Sequence, residues 1–247
     1  TPGGALSVAV EPEARIPEPA LREQLAARGY FEAVNLSFLP AQLLATWGWA
    51  DADLVQLANP LSVDYAVMRP SLLPGLVEAL RHNRARQQER VRLFELARVF
   101  AAGAEPRETP SLGIVAAGRA HAEQWGEAAR PVDFHDLKGD LDAILAWGGE
   151  AARWTLHADG LPPWLHPGRG ARLCRDGVTA GFLGSLHPEL SARLDLGPDV
   201  QVLEVALEAL LARRLPQLAA VPRFPAVRRD IAVDVPETVT WAEVEKT

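Results

Sequence analysis

Hydrophobic positions along the chain switch repeatedly between a helical period and a strand period, so elements can be read in order. Leu21, Leu25 and Ala26 recur at helical spacing before Gly29, a natural helix stop. Positions 30–39 then alternate and carry β-favouring Phe31, Val34 and Phe38, which predicts a strand. A short helix is expected over 41–47, and Asn59-Pro60 breaks the chain before a polar loop containing Ser62 and Asp64. Pro70 and Pro74 bracket Ser71, a candidate cap, and Leu72, Leu73, Leu76, Val77 and Leu80 follow as an apolar helix stripe. Positions 81–90 are polar almost throughout, so that helix ends exposed or at a partner.

The run 91–100 places Val91, Leu93, Glu95, Ala97 and Val99 on one face and Phe94, Leu96 and Phe100 on the other. Apolar residues on both faces predict a central strand, followed by a turn over 103–110 and a shorter strand over 112–117. Phe134, Leu137, Leu141, Ile144 and Leu145 predict a helix over 133–147, opened by Asp133 as cap and closed by Gly148-Gly149. Short strands follow at 171–175 and 178–184, joined by Asp176-Gly177, a strong hairpin signal. His187-Pro188-Glu189 opens a short helix through 194, a strand is expected over 200–207, and a helix over 208–214.

Proline punctuates both ends. Pro2, Pro12, Pro17 and Pro19 mark 1–19 as a linker from a preceding domain, and 20–215 as one large domain. Prolines between 216 and 225 mark a second linker, after which 231–235 predict a strand and 240–247 a helix start. One strand and one helical turn cannot bury a core, so 216–247 reads as the truncated beginning of another domain.

Composition narrows the class. The 247 residues are 48% hydrophobic and 23% charged, ordinary globular usage that excludes a disordered or collagen-like chain. Cys174 is the single cysteine, which excludes an intrachain disulfide and a cysteine-based zinc site, and its predicted strand position favours inert burial. No apolar run approaches the roughly 20 residues of a membrane helix, and a cytoplasmic location is expected. A formal charge of -7 opposes nucleic-acid phosphates on average, so any RNA contact must be local.

Several routes to catalysis find no support. The chain has no GxSxG, phosphate-loop or GxGxxG pattern. Asp133, His135, Asp136, Asp140 and Asp142 could supply metal ligands, but acids early in a helix also complement its dipole. His166-Pro167-Gly168 and His187-Pro188-Glu189 suit turns better than acid–base work.

Seven phrases then carry a resemblance: GYFEAVNLSFL at 29–39, NPLSVDYAVMRPSLLPGLVEALRHNRARQ at 59–87, VRLFELARVF at 91–100, DFHDLKGDLDAIL at 133–145, LHPGRGARL at 165–173, GFLGSLHPEL at 181–190 and RFPAVRRDIAVDV at 223–235. Together, in this order, they resemble a carboxy-proximal segment of the beta subunits of bacterial phenylalanine–tRNA ligases. The resemblance implies an α+β fold: a class II aminoacyl-tRNA synthetase-like antiparallel sheet with flanking helices, then the truncated start of a ferredoxin-like anticodon-binding domain. It implies an alpha-subunit partner, an assembly of two alpha and two beta subunits, and tRNA for phenylalanine as a further partner. ATP and magnesium are used by such a holoenzyme, and none is expected to be bound by this segment. The family's editing domain and magnesium-linked module are expected upstream.

Active class II folds follow the central strand with an arginine and an acid, which meet the charge of ATP. Here that strand runs into Ala101, Ala102 and Gly103. The other signature, a glycine-rich strand entering a helix with a second ATP-binding arginine, is also missing, since 200–214 contain no glycine. The expectation is therefore a noncatalytic segment with no catalytic, cofactor-binding or metal residues of its own. Candidate subunit-interface residues are Arg69, Pro70, Leu72, Leu73, Leu76, Leu80 and Asn83, against the alternative of a core helix with a solvated end. Candidate tRNA contacts are Arg223, Arg228 and Arg229, against surface pairing with Asp230 or Glu237. A free-standing acid-activating paralogue and a general RNA-binding module are the alternative functions; the missing arginines disfavour the first and the acidic balance the second.

Overall fold

The structure, a computed structural model, describes residues 13–60, 62–215, 227–239 and 241–244. The chain divides into two units, Thr1–Leu215 and Pro216–Thr247.

In the first unit, β4 (Val91–Ala101) and β5 (Arg107–Ala117) form a hairpin paired from Val91↔Ala117 to Ala101↔Arg107. Strand β5 is therefore as long as β4 and the turn shorter than local sequence suggests, because the ladder recruits polar Arg107 and Glu108 opposite Ala101 and Phe100. β9 (Val200–Ala206) pairs with β5, and the sheet continues through β8 (Val178–Leu186), β7 (Leu165–Arg175) and β6 (Trp154–His157), all antiparallel. Asp176 and Gly177 close the β7–β8 hairpin at φ of 52° and 78°, the two left-handed positions of a type I′ turn.

The expected strand over 30–39 is split. β1 (Phe31–Glu32) pairs parallel with β4 for two residues at the sheet edge, and β2 (Phe38–Leu39) pairs with β3 (Val67–Met68) in a separate small sheet. The seven-stranded order is β1-β4-β5-β9-β8-β7-β6, which puts β5, β9 and β8 at the centre and β4 second from the edge.

Helices cover both faces. α1 (Glu18–Ala27), α4 (Phe134–Gly148) and α6 (Leu207–Leu211) bury Leu21, Leu25, Leu137, Leu141, Ile144 and Leu210 against Phe94, Ile114, Leu183 and Leu203. α2 (Ala41–Trp47), α3 (Leu73–Arg84) and α5 (Pro188–Arg193) cover the other face, where Leu72, Leu76, Leu80 and Leu190 meet Val91, Val115 and Val202. Two covered faces explain why β5 and β9 are apolar on both sides. Gly113 permits the closest approach, since a Cβ there would stand 2.8 Å from Leu72 Cβ and from Leu76 Cδ1.

The linker expected through Pro19 gives way earlier. Ile16 is buried in the core, Arg15 bridges to Ala212, and Pro17 directly precedes a helix that contains Pro19 in its first turn, where a missing N–H costs nothing.

In the second unit, the alternating Ile231, Val233 and Val235 lie exposed and outside any ladder among the described residues, so the expected strand is absent there. Alternation alone does not make a strand when no neighbour takes its N–H and C=O groups. α7 (Trp241–Val244) supplies the expected helical turn. Among the described residues, no helix is long and apolar enough to cross a membrane.

Candidate functional site

The face of β4 that carries Leu93, Glu95, Ala97 and Val99 is where an ATP site would be sought, and it is taken up in an apolar cluster. Trp47 lies 6.1 Å from Trp49 and 6.1 Å from Trp164 between ring centroids, and Trp164 meets Phe182 edge-on at 6.0 Å. Leu93, Ala97, Val99 and Phe182 pack against the same cluster as Trp47 and Trp164. At the end of β4 an open cleft of about 460 Å³ remains, bordered by Trp49, Asp53, Pro70, Ala101, Ala102 and Gly103. Among the described residues that line it, Asp53 is the only charged one, so they oppose a triphosphate instead of neutralising it. The residues present do not fit ATP with its magnesium.

The same face also carries a polar knot around Glu95. Arg69 donates to Glu95 Oε1 at 2.7 Å and to the Arg98 carbonyl at 3.0 Å, with both side chains buried. Glu95 also accepts from Asn35, from its side-chain amide at 2.7 Å and its backbone N–H at 3.3 Å. Glu204, on β9, accepts from the Ser71 hydroxyl at 2.5 Å and the Leu72 N–H at 3.0 Å. Ser71 in turn accepts from the Leu73 N–H at 3.1 Å, so it does cap the first turn of α3. Loss of water pushes the Glu204 carboxyl up to about 7, against the opposing pull of the Ser71 and Leu72 hydrogen bonds and the Arg69 charge.

The aspartates of α4 are divided among separate tasks. Asp133 accepts from the N–H groups of His135 and Asp136, and Asp136 returns to the Asp133 N–H in a reciprocal capping box. Asp136 takes two further bonds of 2.7 Å from Arg130, which lower its carboxyl to about 2. Asp140 is buried and joins Arg28, Arg92 and Tyr30, while Asp142 pairs with Lys138 at 2.6 Å. His166 accepts from the Gly168 N–H and His187 from the Glu189 N–H, both local turn contacts. Cys174 is buried in β7.

The interface candidates need correction. Leu72, Leu73, Leu76 and Leu80 are wholly buried between α3 and the sheet of this chain, and Arg69 is buried on Glu95, so none presents a surface. The stripe was ambiguous because periodicity shows that one helix face is covered without showing what covers it. Pro70 is half-buried at the cleft, and half-buried Asn83 donates back to the Ala79 carbonyl at 2.8 Å. Arg228 and Arg229 are exposed, with Arg228 3.7 Å from Asp230, and Arg223 lies outside the described residues.

What sequence reading missed is the exposed edge. Phe31 is 72%, Val34 93% and Leu36 58% exposed, on or just beyond edge strand β1. Val34 and Leu36 border an open groove of about 890 Å³ completed by Leu43 and by Gly75, Glu78 and Arg81 on the outer side of α3. The available signal was a strand pattern over 30–39 too apolar on both sides for an edge position.

Known proteins place this architecture. Over 81% of this chain and 74% of the other, the fold superimposes on a pyrrolysyl tRNA synthetase of Desulfitobacterium hafniense with a TM-score of 0.54 at 16% identity, a likeness of fold alone. The chain is 48% identical over 250 residues to the phenylalanine–tRNA ligase beta subunit of Xylella fastidiosa, covering 100% of this chain and 31% of that protein. It is also 48% identical over 247 residues to the corresponding subunit of Xanthomonas oryzae pv. oryzae, covering 98% of this chain and 31% of that one. The chain thus spans about a third of the length of these relatives. Residues 1–207 match the family described as the phenylalanyl tRNA synthetase beta chain CLM domain, and the chain belongs to that family.

Proposed function

We propose that this chain is a noncatalytic core segment of a phenylalanine–tRNA ligase beta subunit, which supports assembly with the alpha subunit and tRNA binding during ATP-dependent attachment of phenylalanine to its tRNA. The observation that carries the noncatalytic half is the sheet face itself: Leu93, Ala97 and Val99 of β4 pack into the apolar cluster that holds Trp47 and Trp164, and Ala101 stands where class II folds carry an arginine. Adenylate formation needs fixed positive charge at the α-phosphate, and a cleft whose only charge among the described residues is Asp53 does not supply it. ATP and magnesium then belong with the alpha subunit. Purified chain mixed with phenylalanine, ATP and labelled pyrophosphate is expected to give no exchange above background, and exchange by the chain alone overturns this reading.

The alpha-facing surface on this reading is the β1 edge with the groove beyond it, since Phe31, Val34 and Leu36 are exposed there and, among the described residues, no strand pairs with the outer side of β1. Such edges are sites for protein association when left uncovered. Arg228 and Arg229 remain candidates for phosphate contact, supported by their exposure. Val34→Glu combined with Leu36→Glu is expected to weaken association with purified alpha subunit by about a hundredfold, from the loss of two central apolar anchors. Unchanged association in titration calorimetry removes this edge from the interface.

A further inference from the structure

On the sheet face covered by α4, one row departs from the apolar pattern. Leu183 of β8 and Leu203 of β9 lie opposite one another in the core, and the next residues of that face, Ser185 and Gln201, are likewise paired. Ser185 is 4% and Gln201 2% exposed, and the Ser185 hydroxyl donates to Gln201 Oε1 at 3.1 Å. On its other side Gln201 faces Ala116 of β5, whose side chain offers no hydrogen bond. Among the described residues, the Gln201 amide nitrogen donates to nothing.

Both side chains line a cavity of about 280 Å³ enclosed by segments far apart in sequence. The start of α4 supplies Phe134 and His135. Strand β7 supplies a bulge at 168–170, formed where its register against β8 jumps from Leu165↔Leu186 to Gly170↔Gly184. The Gly168 N–H donates to His166 Nδ1 at 3.0 Å within this bulge. Gly184 lets the bulge lie close, since a Cβ there would stand 2.5 Å from the Arg169 carbonyl oxygen. Three charged side chains complete the lining: Asp133, Arg169 and Asp199. Asp133 is committed to the cap of α4. Among the described residues, Arg169 and Asp199 make neither an ion pair nor a side-chain hydrogen bond, and Asp199 only feels the charge of Arg84 at longer range.

A buried donor without a partner is costly, and an apolar residue at 201 would avoid that cost. A group that enters the cavity and accepts from Gln201 gives the polar row its reason. The guanidinium and the carboxylate, left uncombined on one cavity, complement a molecule that carries both charges. The volume lies near the lower end of the roughly 300–1,000 Å³ typical of ligand sites, room for one small molecule.

We propose that this cavity binds a free α-amino acid with a polar side chain, its carboxylate on Arg169, its ammonium on Asp199, and its side chain along Phe134 with the polar end on Gln201 and Ser185. The site lies on the face opposite the Trp47 cluster and, through Gln201↔Ala116↔Arg92, at the end of β4 away from Ala101. It rests on residues of this chain alone, so it is independent of any alpha-subunit contact.

The test heats the purified chain with each standard L-amino acid in turn, at about 10 mM, and reads the midpoint of unfolding by calorimetry. One or more amino acids with a polar side chain are expected to raise the midpoint by about 3 °C, and leucine and phenylalanine to leave it unchanged. For the amino acid that acts most strongly, the methyl ester and the N-acetyl derivative each lack one charge and are expected to bind about tenfold more weakly in titration calorimetry. Arg169→Ala and Asp199→Asn, at positions outside the core, are each expected to weaken binding about tenfold, and asparagine tolerates the φ of 67° at 199. In Arg169→Ala the methyl ester and the free amino acid should bind alike, because the carboxylate has lost its partner. No shift with any amino acid overturns the site and leaves the cavity to water. A shift that survives both substitutions in full overturns its location. Leucine or phenylalanine acting as strongly as the polar amino acids overturns the role of Gln201 and Ser185.

Discussion

Burial holds the Glu204 carboxyl well above the ordinary carboxylate range. It sits beneath the start of α3, accepts from Ser71 and Leu72, and titrates at about 7 because loss of water outweighs these bonds. The folded protein therefore keeps a proton that the unfolded chain, with an ordinary value of 4.5, gives up earlier. Stability from this group is complete at low pH, declines as pH rises from about 4.5 to about 7, and is flat above that. Glu204→Gln keeps an acceptor for the Leu72 N–H and removes the titration. The difference in unfolding free energy between variant and parent should move in favour of the variant by on the order of 2–3 kcal/mol across this window, measured by urea denaturation at several pH values. Asp136 runs the other way. Arg130 lowers its carboxyl to about 2, so its contribution is present at neutral pH and is lost as pH falls from about 3.8 towards 2.

Among the elements, α3 and α4 differ in what specifies them. The start of α4 is written locally: Asp133 and Asp136 cap one another, and Gly149 ends the helix at φ 69°. Asp133→Ala should cost about 1–2 kcal/mol of unfolding free energy, read from the shift of a denaturant midpoint at constant slope. The placement of α3 depends on a residue 40 positions away, because Gly113 alone lets Leu72 and Leu76 reach the sheet. Gly113→Ala has to push against Leu72 Cβ, which is fixed to backbone, and should cost about 1–3 kcal/mol by the same measurement. The helix stripe of Leu72, Leu73, Leu76 and Leu80 was legible from sequence, but not its covering layer. A three-to-four period reports a buried face equally well when the burial is internal and when a partner supplies it.

At the scale of the whole molecule, the sheet and its helices form one unit through Leu215, and the described residues 227–239 and 241–244 belong to the other. Val227, Ile231, Val233, Val235 and Trp241 of that second unit are all exposed. The three buried clusters lie within residues 16–211, so a chain ending after Leu215 is expected to unfold in one cooperative transition, as measured by calorimetry. Absence of a cooperative transition would overturn the reading of 13–215 as a self-contained unit.

The amino-acid sequence by itself determined the family, the α+β class, the caps and turns of α4, α5 and the β7–β8 hairpin, and the absence of an arginine after β4. These are properties of residue type and short spacing, settled by backbone conformations and hydrogen bonds a few residues apart. Only the tertiary structure decided what depends on distant neighbours. It ended β1 after two residues although β4 runs on to Ala101, and denied a ladder to 231–235 among the described residues. It gathered Trp47 and Trp164 into the cluster that takes up Leu93, Ala97 and Val99 of β4, turned the α3 stripe inward, and left Val34 and Leu36 outside. Alternation and periodicity state that a surface is apolar, and long-range packing decides which apolar surfaces are consumed within the chain and which remain uncovered.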